Sequence, residues 1–532
     1  MSGIGRASVL IGAGTIVSRL TGLLRTIVLV AAIGSISSAG DAFAVANQLP
    51  NNIYAIISTG LLTAVVVPQI IKAAAHADGG QAFISKLFTL GTMGLLISTA
   101  LAMIAAPLLV QVYASRFTED QLALSTAFAY WCLPQIFFYG LYALLGEILN
   151  ARRVFGPYTW APIVNNIVSI AGFAGFILLF GGPQTAVSAW TPLMTATLAA
   201  TATAGIVVQT VVLAFFWRRA GLTLRPDFQW RGVGLRHIGR LAGWTFLMVV
   251  AGQLAGIVQT NVLSGASGED PAIFASQNAW LLFMLPYSII VLSIGTPYFT
   301  QLSEHAAAGR HEDVRADIVR SIRTLGLFIV AAAVALAVAA VPASRIFTNG
   351  PEQAAAVAPV LLCYLLCLVP LAVLFVVQRT FYAYNDTRTP FFFTLIQCAL
   401  VTGGALAAGA VLGPAFLAAG VALTQSLASI VQVVIAAVLL HRRLGGIGTA
   451  QWLPALLRFS LASLPAAGAG FLAYVLTGGY FGWTSTNALT GALGAALVGG
   501  VVLIVYLGIL ALFRAPELAP ALALGRRFLP RR

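Results

Sequence analysis

Fourteen apolar runs, each long enough to cross a membrane, recur along the whole of this 532-residue chain. A hydrocarbon core of ~30 Å takes about 20 helical residues at 1.5 Å each. Read against proline, glycine and charge punctuation, the spans lie near 7–33, 42–71, 87–113, 122–148, 157–181, 192–217, 237–263, 273–301, 318–343, 354–384, 390–412, 414–440, 453–477 and 485–513. A stretch such as 325–341 is apolar all round and lacks the alternation of a barrel strand, and a helix satisfies its own backbone in lipid. The first run is too long for a signal-peptide core and contains two arginines, so it reads as a retained span. With 59% hydrophobic and 8% charged residues, against roughly 25% charged in soluble domains, the expected fold class is all-α integral membrane.

The net charge of +14 follows membrane topology. With a cytoplasmic N-terminus, twenty-four of the twenty-nine Lys and Arg fall in cytoplasmic loops, tails or the helix ends beside them. Arg116 and Arg345 fall outside, and Arg19, Arg25 and Arg379 lie within spans. This positive-inside bias places both termini in the cytoplasm, and six arginines in 218–240 mark a cytoplasmic link between two halves. No basic-aromatic platform accompanies the charge, which argues against nucleic acid as a partner.

The halves are related. Residues 18–29 and 252–263 share five of twelve positions, Leu49-Pro50 matches Leu285-Pro286, and Gly60 matches Gly295. Six intervening helices keep both copies in one orientation, giving parallel repeats about an axis along the membrane normal, an arrangement transporters use to rock around a midplane site. The expected organisation is an N-terminal lobe at 1–220 (spans one to six), a cytoplasmic linker at 221–236, a second lobe at 237–445 (spans seven to twelve), and two additional helices with a cytoplasmic tail at 446–532.

Intramembrane charge costs on the order of 2.5–3.5 kcal/mol per group, so it marks function or a compensating partner. Arg19 and Arg25 lie inside the first span and Asp41 opens the second. Six residues of helix put the arginines about 120° and 9 Å apart, able to line one wide cavity if the glycine-rich helix bends. A guanidinium is a planar, permanently charged donor suited to phosphate. The functional reading is a cavity for a large anion such as a pyrophosphate; the structural alternative is snorkelling, or a permanent pair with Asp41 or Glu147. The second half puts neutral Gln253 and Gln259 at the matching positions, and packing alone would not place charge in one half only. Gln48, Asn51 and Asn52 beside Pro50, and Asn165 with Asn166, either bind a sugar or peptide group or join helices as polar glue. Glu147 is expected to pair with Arg152 at the interface, and Arg379 to snorkel.

Catalysis finds no constellation. The five histidines fall in loops or at span ends, and no HExxH, GxSxG or P-loop occurs. The acids of 312–317, alternating with Arg315, read as the solvated start of a helix. Cys132, Cys363, Cys367 and Cys398 lie in apolar segments without CxxC spacing. No catalytic residues, metal site or cofactor are expected; membrane potential or an ion gradient would supply the driving force.

The text of the first two spans, Ser18-Arg19-Leu20-Thr21-Gly22-Leu23-Leu24-Arg25, then Asp41-Ala42-Phe43, Leu49-Pro50-Asn51, Gly60 and Val67-Pro68, resembles the MurJ (MviN) family of lipid II flippases. These belong to the multidrug/oligosaccharidyl-lipid/polysaccharide exporter superfamily. The likeness continues through 149–157, 278–286 and 386–390. It implies fourteen helices, two lobes of six, a cationic cavity whose Arg19 and Arg25 meet a pyrophosphate, a role for Asp41, and a groove for a polyprenyl tail at the last helix pair. Tyr54 and Leu281 stand where the family commonly carries arginines. The implied activity is movement of lipid II to the outer leaflet of the bacterial inner membrane, with membrane lipids and cell-wall synthesis proteins as partners. A polysaccharide-lipid flippase, a cation-coupled drug exporter and a scaffold for wall synthesis are the alternatives. Paired arginines oppose a cationic drug, and a scaffold would survive their removal.

Overall fold

A computed structural model describes residues 3–59, 81–151, 154, 156–217, 227–228 and 235–518, and among these the backbone is helical with no strand. Thirteen helices among the described residues are long and apolar enough to span a membrane. The expected second span is described to residue 59, and its remainder, with Gly60, Val67 and Pro68, lies outside the described residues. The chain is a multi-pass membrane protein. It divides into two compact units, Met1–Phe274 and Ala275–Arg532.

Unit 1 comprises α1 (Gly3–Ile33), α2 (Ser38–Ile57), α3 (Gln81–Ile104), α4 (Ala106–Tyr113), α5 (Glu119–Cys132), α6 (Gln135–Ala151), α7 (Gly156–Phe180), α8 (Pro192–Phe215) and α9 (Leu235–Leu263). Local chemistry sets the starts. Ser37, Thr118 and Thr191 each accept a backbone N–H three residues on, closing the first turns of α2, α5 and α8, where Pro192 also pre-sets the backbone. Lipid tails are as apolar as leucine, so small residues and polar contacts hold such helices together. A Cβ on Gly172 would lie 1.8 Å from Thr201, and one on Gly205 2.2 Å from Asn165, so α7 and α8 meet through paired glycines. Helix α7 also carries α1, while α2 packs on α5 and α3 on α6. By sequence α9 opens the second repeat, yet it packs on α2 and α4.

Unit 2 begins within α10 (Ile273–Pro286), which a π-turn at Tyr287–Val291 joins to α11 (Leu292–Ala307). Pro286 sits at that break, whereas Pro50 lies inside α2, well ahead of a π-widened residue pair at 58–59. The chain continues through α12 (His311–Val338), α13 (Ala340–Arg345), α14 (Pro351–Leu365), α15 (Leu368–Ala383), α16 (Arg388–Val411), α17 (Pro414–Leu444), α18 (Thr449–Leu476) and α19 (Ala488–Leu512). Helix α12 touches α11, α15, α18 and α19, and so forms the axis of this unit. The expected solvated acids at its start divide. Glu312 is exposed and Asp313 half-buried, whereas Asp317, about 140° around the helix from Glu312, lies on the face that meets α11, is buried and bonds His305 Nδ1 at 2.7 Å.

Candidate functional site

Helix α1 has two chemistries around its circumference. At about 100° per residue, Thr15, Ser18, Gly22 and Thr26 fall in the arc between Arg19 and Arg25. Ile16, Leu20 and Leu24 occupy the opposite arc and are 52%, 61% and 48% exposed, as suits a lipid-facing surface. The polar arc is fixed to α7 by Asn166, whose Nδ2 donates to Ser18 O at 3.1 Å and Thr21 Oγ1 at 2.9 Å. That tie sets the rotation of α1, and with it where both guanidinium groups point.

Among the described residues neither arginine makes an ion pair. Arg19 is exposed; Arg25 is half-buried and lies within electrostatic reach of the Tyr139 phenol on α6. Asp41 takes other partners. Buried in the first turn of α2, it accepts the Ser267 hydroxyl at 2.7 Å and the Phe274 N–H at 2.8 Å. Gln121 donates to Ser267 Oγ and to Ser38 O, tying α5 into the same knot.

The amides separate by position. Gln48 donates to Thr260 on α9 at 3.2 Å, and Asn52 donates to the Tyr113 hydroxyl at 3.2 Å, so both join helices. Asn51 is exposed. Asn165 is buried against Gly205 and accepts from Ser169, which turns it into the α7–α8 packing and away from the arginines' arc. Glu147 lies within electrostatic reach of Tyr54 and Tyr158, while Arg152, its expected partner, lies outside the described residues.

An aromatic wall beside Arg25 escapes the sequence reading. Tyr139 stacks on Tyr54 at 5.7 Å, Tyr142 stacks on Tyr158 at 5.0 Å, and the Tyr142 hydroxyl donates to Tyr158 O at 2.6 Å. Tyr139 and Tyr142, three apart on α6, share a face, and that periodic cue was present in the sequence. Arg25 thus lies beside a phenol and, among the described residues, has no ion pair.

A family model described as lipid II flippase MurJ matches residues 29–490. The chain belongs to that family. The match begins just after Arg25, so the two arginines stand on their geometry. Among curated MurJ relatives, a probable lipid II flippase from Rhizobium tropici is 27% identical over 445 residues, covering 81% of this chain and 80% of its own. A lipid II flippase from Burkholderia cenocepacia is 26% identical over 404 residues, covering 72% and 74%. A solved MurJ, in an inward closed conformation, superposes with TM-score 0.73 at 21% identity over 95% of this chain and 98% of that one. An inward-facing multidrug transporter of the MATE family gives 0.65 at 17% identity over 80% and 94%. At such identities these two likenesses speak for the fold alone.

In unit 2 of this MurJ-family chain several arginines have other engagements. Arg379 lies over the Phe299 and Phe375 rings at 5.0 and 5.3 Å, where snorkelling was expected. Arg345 donates from Nε to Ser485 O at 2.9 Å and from Nη2 to Thr486 O at 2.8 Å, and its Nη1 bonds Thr348 O. Arg443 pairs with Asp386, and Arg315 with Glu312.

Proposed function

We propose that this protein moves an undecaprenyl-pyrophosphate-linked peptidoglycan precursor, lipid II, from the inner to the outer leaflet of the bacterial inner membrane by alternating access. The observation that carries the reading is the pair Arg19 and Arg25, at membrane depth on the polar arc of α1 and without an ion pair among the described residues. A bare guanidinium in the bilayer is expensive, and a visiting pyrophosphate offsets that cost. Family membership supports the substrate, and the polyprenyl tail stays in lipid throughout. Asp41 exchanges its Ser267 and Phe274 bonds for an arginine in another part of the cycle. Reset is driven by the membrane potential, worth about 2.3 kcal/mol per charge per 100 mV, or by an ion gradient. Both termini lie in the cytoplasm, and cell-wall synthesis proteins collect the product on the far side. No covalent chemistry is involved.

Leaflet-resolved labelling of lipid II in cells depleted of this protein tests the proposal. Precursor should accumulate in the inner leaflet, and wild-type protein, but neither Arg19→Ala nor Arg25→Ala at equal abundance, should restore it. An unchanged distribution on depletion would refute the substrate, and rescue by both variants would refute the site.

A further inference from the structure

Unit 1 holds a carboxylate that the pyrophosphate reading leaves unused. Glu147, on α6, is half-buried in a membrane-spanning segment and makes no ion pair among the described residues. Its electrostatic neighbours are phenols from two other helices, Tyr54 of α2 and Tyr158 of α7. A Cβ on Gly146 would lie 2.3 Å from the Tyr158 ring, so that ring rests on the α6 backbone one residue before Glu147. Tyr142 stacks on Tyr158, and Tyr54, Tyr142 and Tyr158 all pack against the buried cluster that includes Leu144, Leu145 and Ile148, which fixes three rings around one end of α6. Tyr54 also stacks on Tyr139, the phenol beside Arg25. One ring is thus a neighbour both of that phenol and of the Glu147 carboxylate. Tyr139 and Glu147 are eight residues apart, about 12 Å along the helix.

A carboxylate flanked by phenols suits a cation: the carboxylate supplies charge, the phenol oxygens accept hydrogen bonds, and the rings attract positive charge. A visiting cation also offsets the cost of holding a bare carboxylate in a membrane segment. We infer that Glu147, with Tyr54 and Tyr158, binds an ammonium group carried on the peptide of the substrate headgroup. The inference rests on the transport reading proposed above and extends it. Unit 1 then offers opposite charges at the two ends of one tyrosine track, Arg25 for the pyrophosphate and Glu147 for the amine. An ammonium has three donors to divide between the carboxylate and the phenol oxygens, and a headgroup whose phosphates and amine lie on the order of 12 Å or more apart spans the track. A headgroup without the amine engages one end only, so Glu147 selects among lipid-linked anions by their peptide. A small inorganic cation is the competing occupant, and it is indifferent to the headgroup.

The test uses the full-length purified protein in detergent and three lipids: lipid II with a lysine in its peptide, the same lipid acetylated on the lysine amine, and undecaprenyl pyrophosphate. Kd is read by native mass spectrometry and Tm by thermal unfolding. Wild type should bind the free-amine lipid about tenfold more tightly than the acetylated one. Glu147→Gln should erase that preference by weakening the free-amine lipid alone, with Tm unchanged, and Glu147→Asp should keep part of it. Arg25→Ala should weaken all three lipids and keep the ratio. Equal binding of the two forms by wild type, or an undiminished preference in Glu147→Gln, would overturn the inference and leave the pyrophosphate site standing. Failure of wild type to bind undecaprenyl pyrophosphate or either form of lipid II would overturn the transport reading, and this inference with it. If Glu147→Gln does not fold, Tyr158→Leu decides, since an undiminished preference there would overturn the inference too.

Discussion

Arginine does opposite work in the two units. In unit 1, Arg19 and Arg25 sit on a membrane-spanning helix without an ion pair among the described residues, and a phenol is the neighbour of Arg25. In unit 2, Arg345 is buried on three backbone carbonyls, Arg323 and Arg458 share Glu517, and Arg443 holds Asp386. A guanidinium whose donors are spent inside the protein is part of the scaffold; one whose donors are unspent can change partners during a cycle. On the function proposed above, charge in a membrane segment marks a site by the partner it lacks, and the sequence cannot say which arginines lack one.

The comparison breaks if removal of either class has the same consequence. Arg25→Ala should lower lipid II flipping by on the order of a hundredfold, the loss of about 3 kcal/mol of charge-assisted contact, with Tm unchanged. Arg25→Lys should recover part of it, because charge remains and the bidentate fork does not. Flipping and Tm falling together would place Arg25 with the arginines of unit 2. Arg345→Ala should behave in the opposite way, costing about 3 kcal/mol of stability by leaving carbonyls of Thr348, Ser485 and Thr486 without their donor, as thermal unfolding in detergent would show.

Two smaller effects sharpen the contrast. Asn166→Ala removes the amide that sets the rotation of α1 and should cost about 1 kcal/mol, with a loss of flipping larger than that stability change explains. Asp386→Asn should cost about 1 kcal/mol or less, and only above mildly acidic pH. Burial alone would raise the Asp386 carboxyl, but the Thr389 N–H and hydroxyl and the Arg443 guanidinium outweigh it and hold the group below the usual carboxylate range. A carboxyl depressed in the folded state stabilises above its unfolded value, near pH ~4, and loses that contribution as pH falls through the folded value. The wild-type advantage over Asp386→Asn should therefore be full at neutral pH and vanish in strong acid, and an advantage that grew on acidification would contradict the assignment.

The helices, and the presence of arginines within the first of them, were legible because each rests on local or periodic chemistry. An apolar run of this length has one way to satisfy its backbone in lipid, and an arginine inside one is conspicuous by its cost. The same logic failed for Asp317, where alternation with Arg315 suggested solvent and packing of its helix face against α11 buried the carboxyl beside His305. Amides were readable only as alternatives. Nothing local distinguishes exposed Asn51 from Asn52, one residue on and bonded to Tyr113, or from Asn165, wedged against Gly205.

What the sequence determined by itself was the solvent, the spans, their repeat, and which side chains carry charge at depth. Tertiary structure alone decided the partners: Ser267 and Phe274 for Asp41, Tyr139 for Arg25, and Arg323 with Arg458 for Glu517. The reason is physical. Backbone hydrogen bonding and transfer into lipid are settled within one helix, whereas a side chain's partner depends on how helices rotate and pack against one another. Those contacts join residues up to 233 positions apart, and no local pattern encodes them.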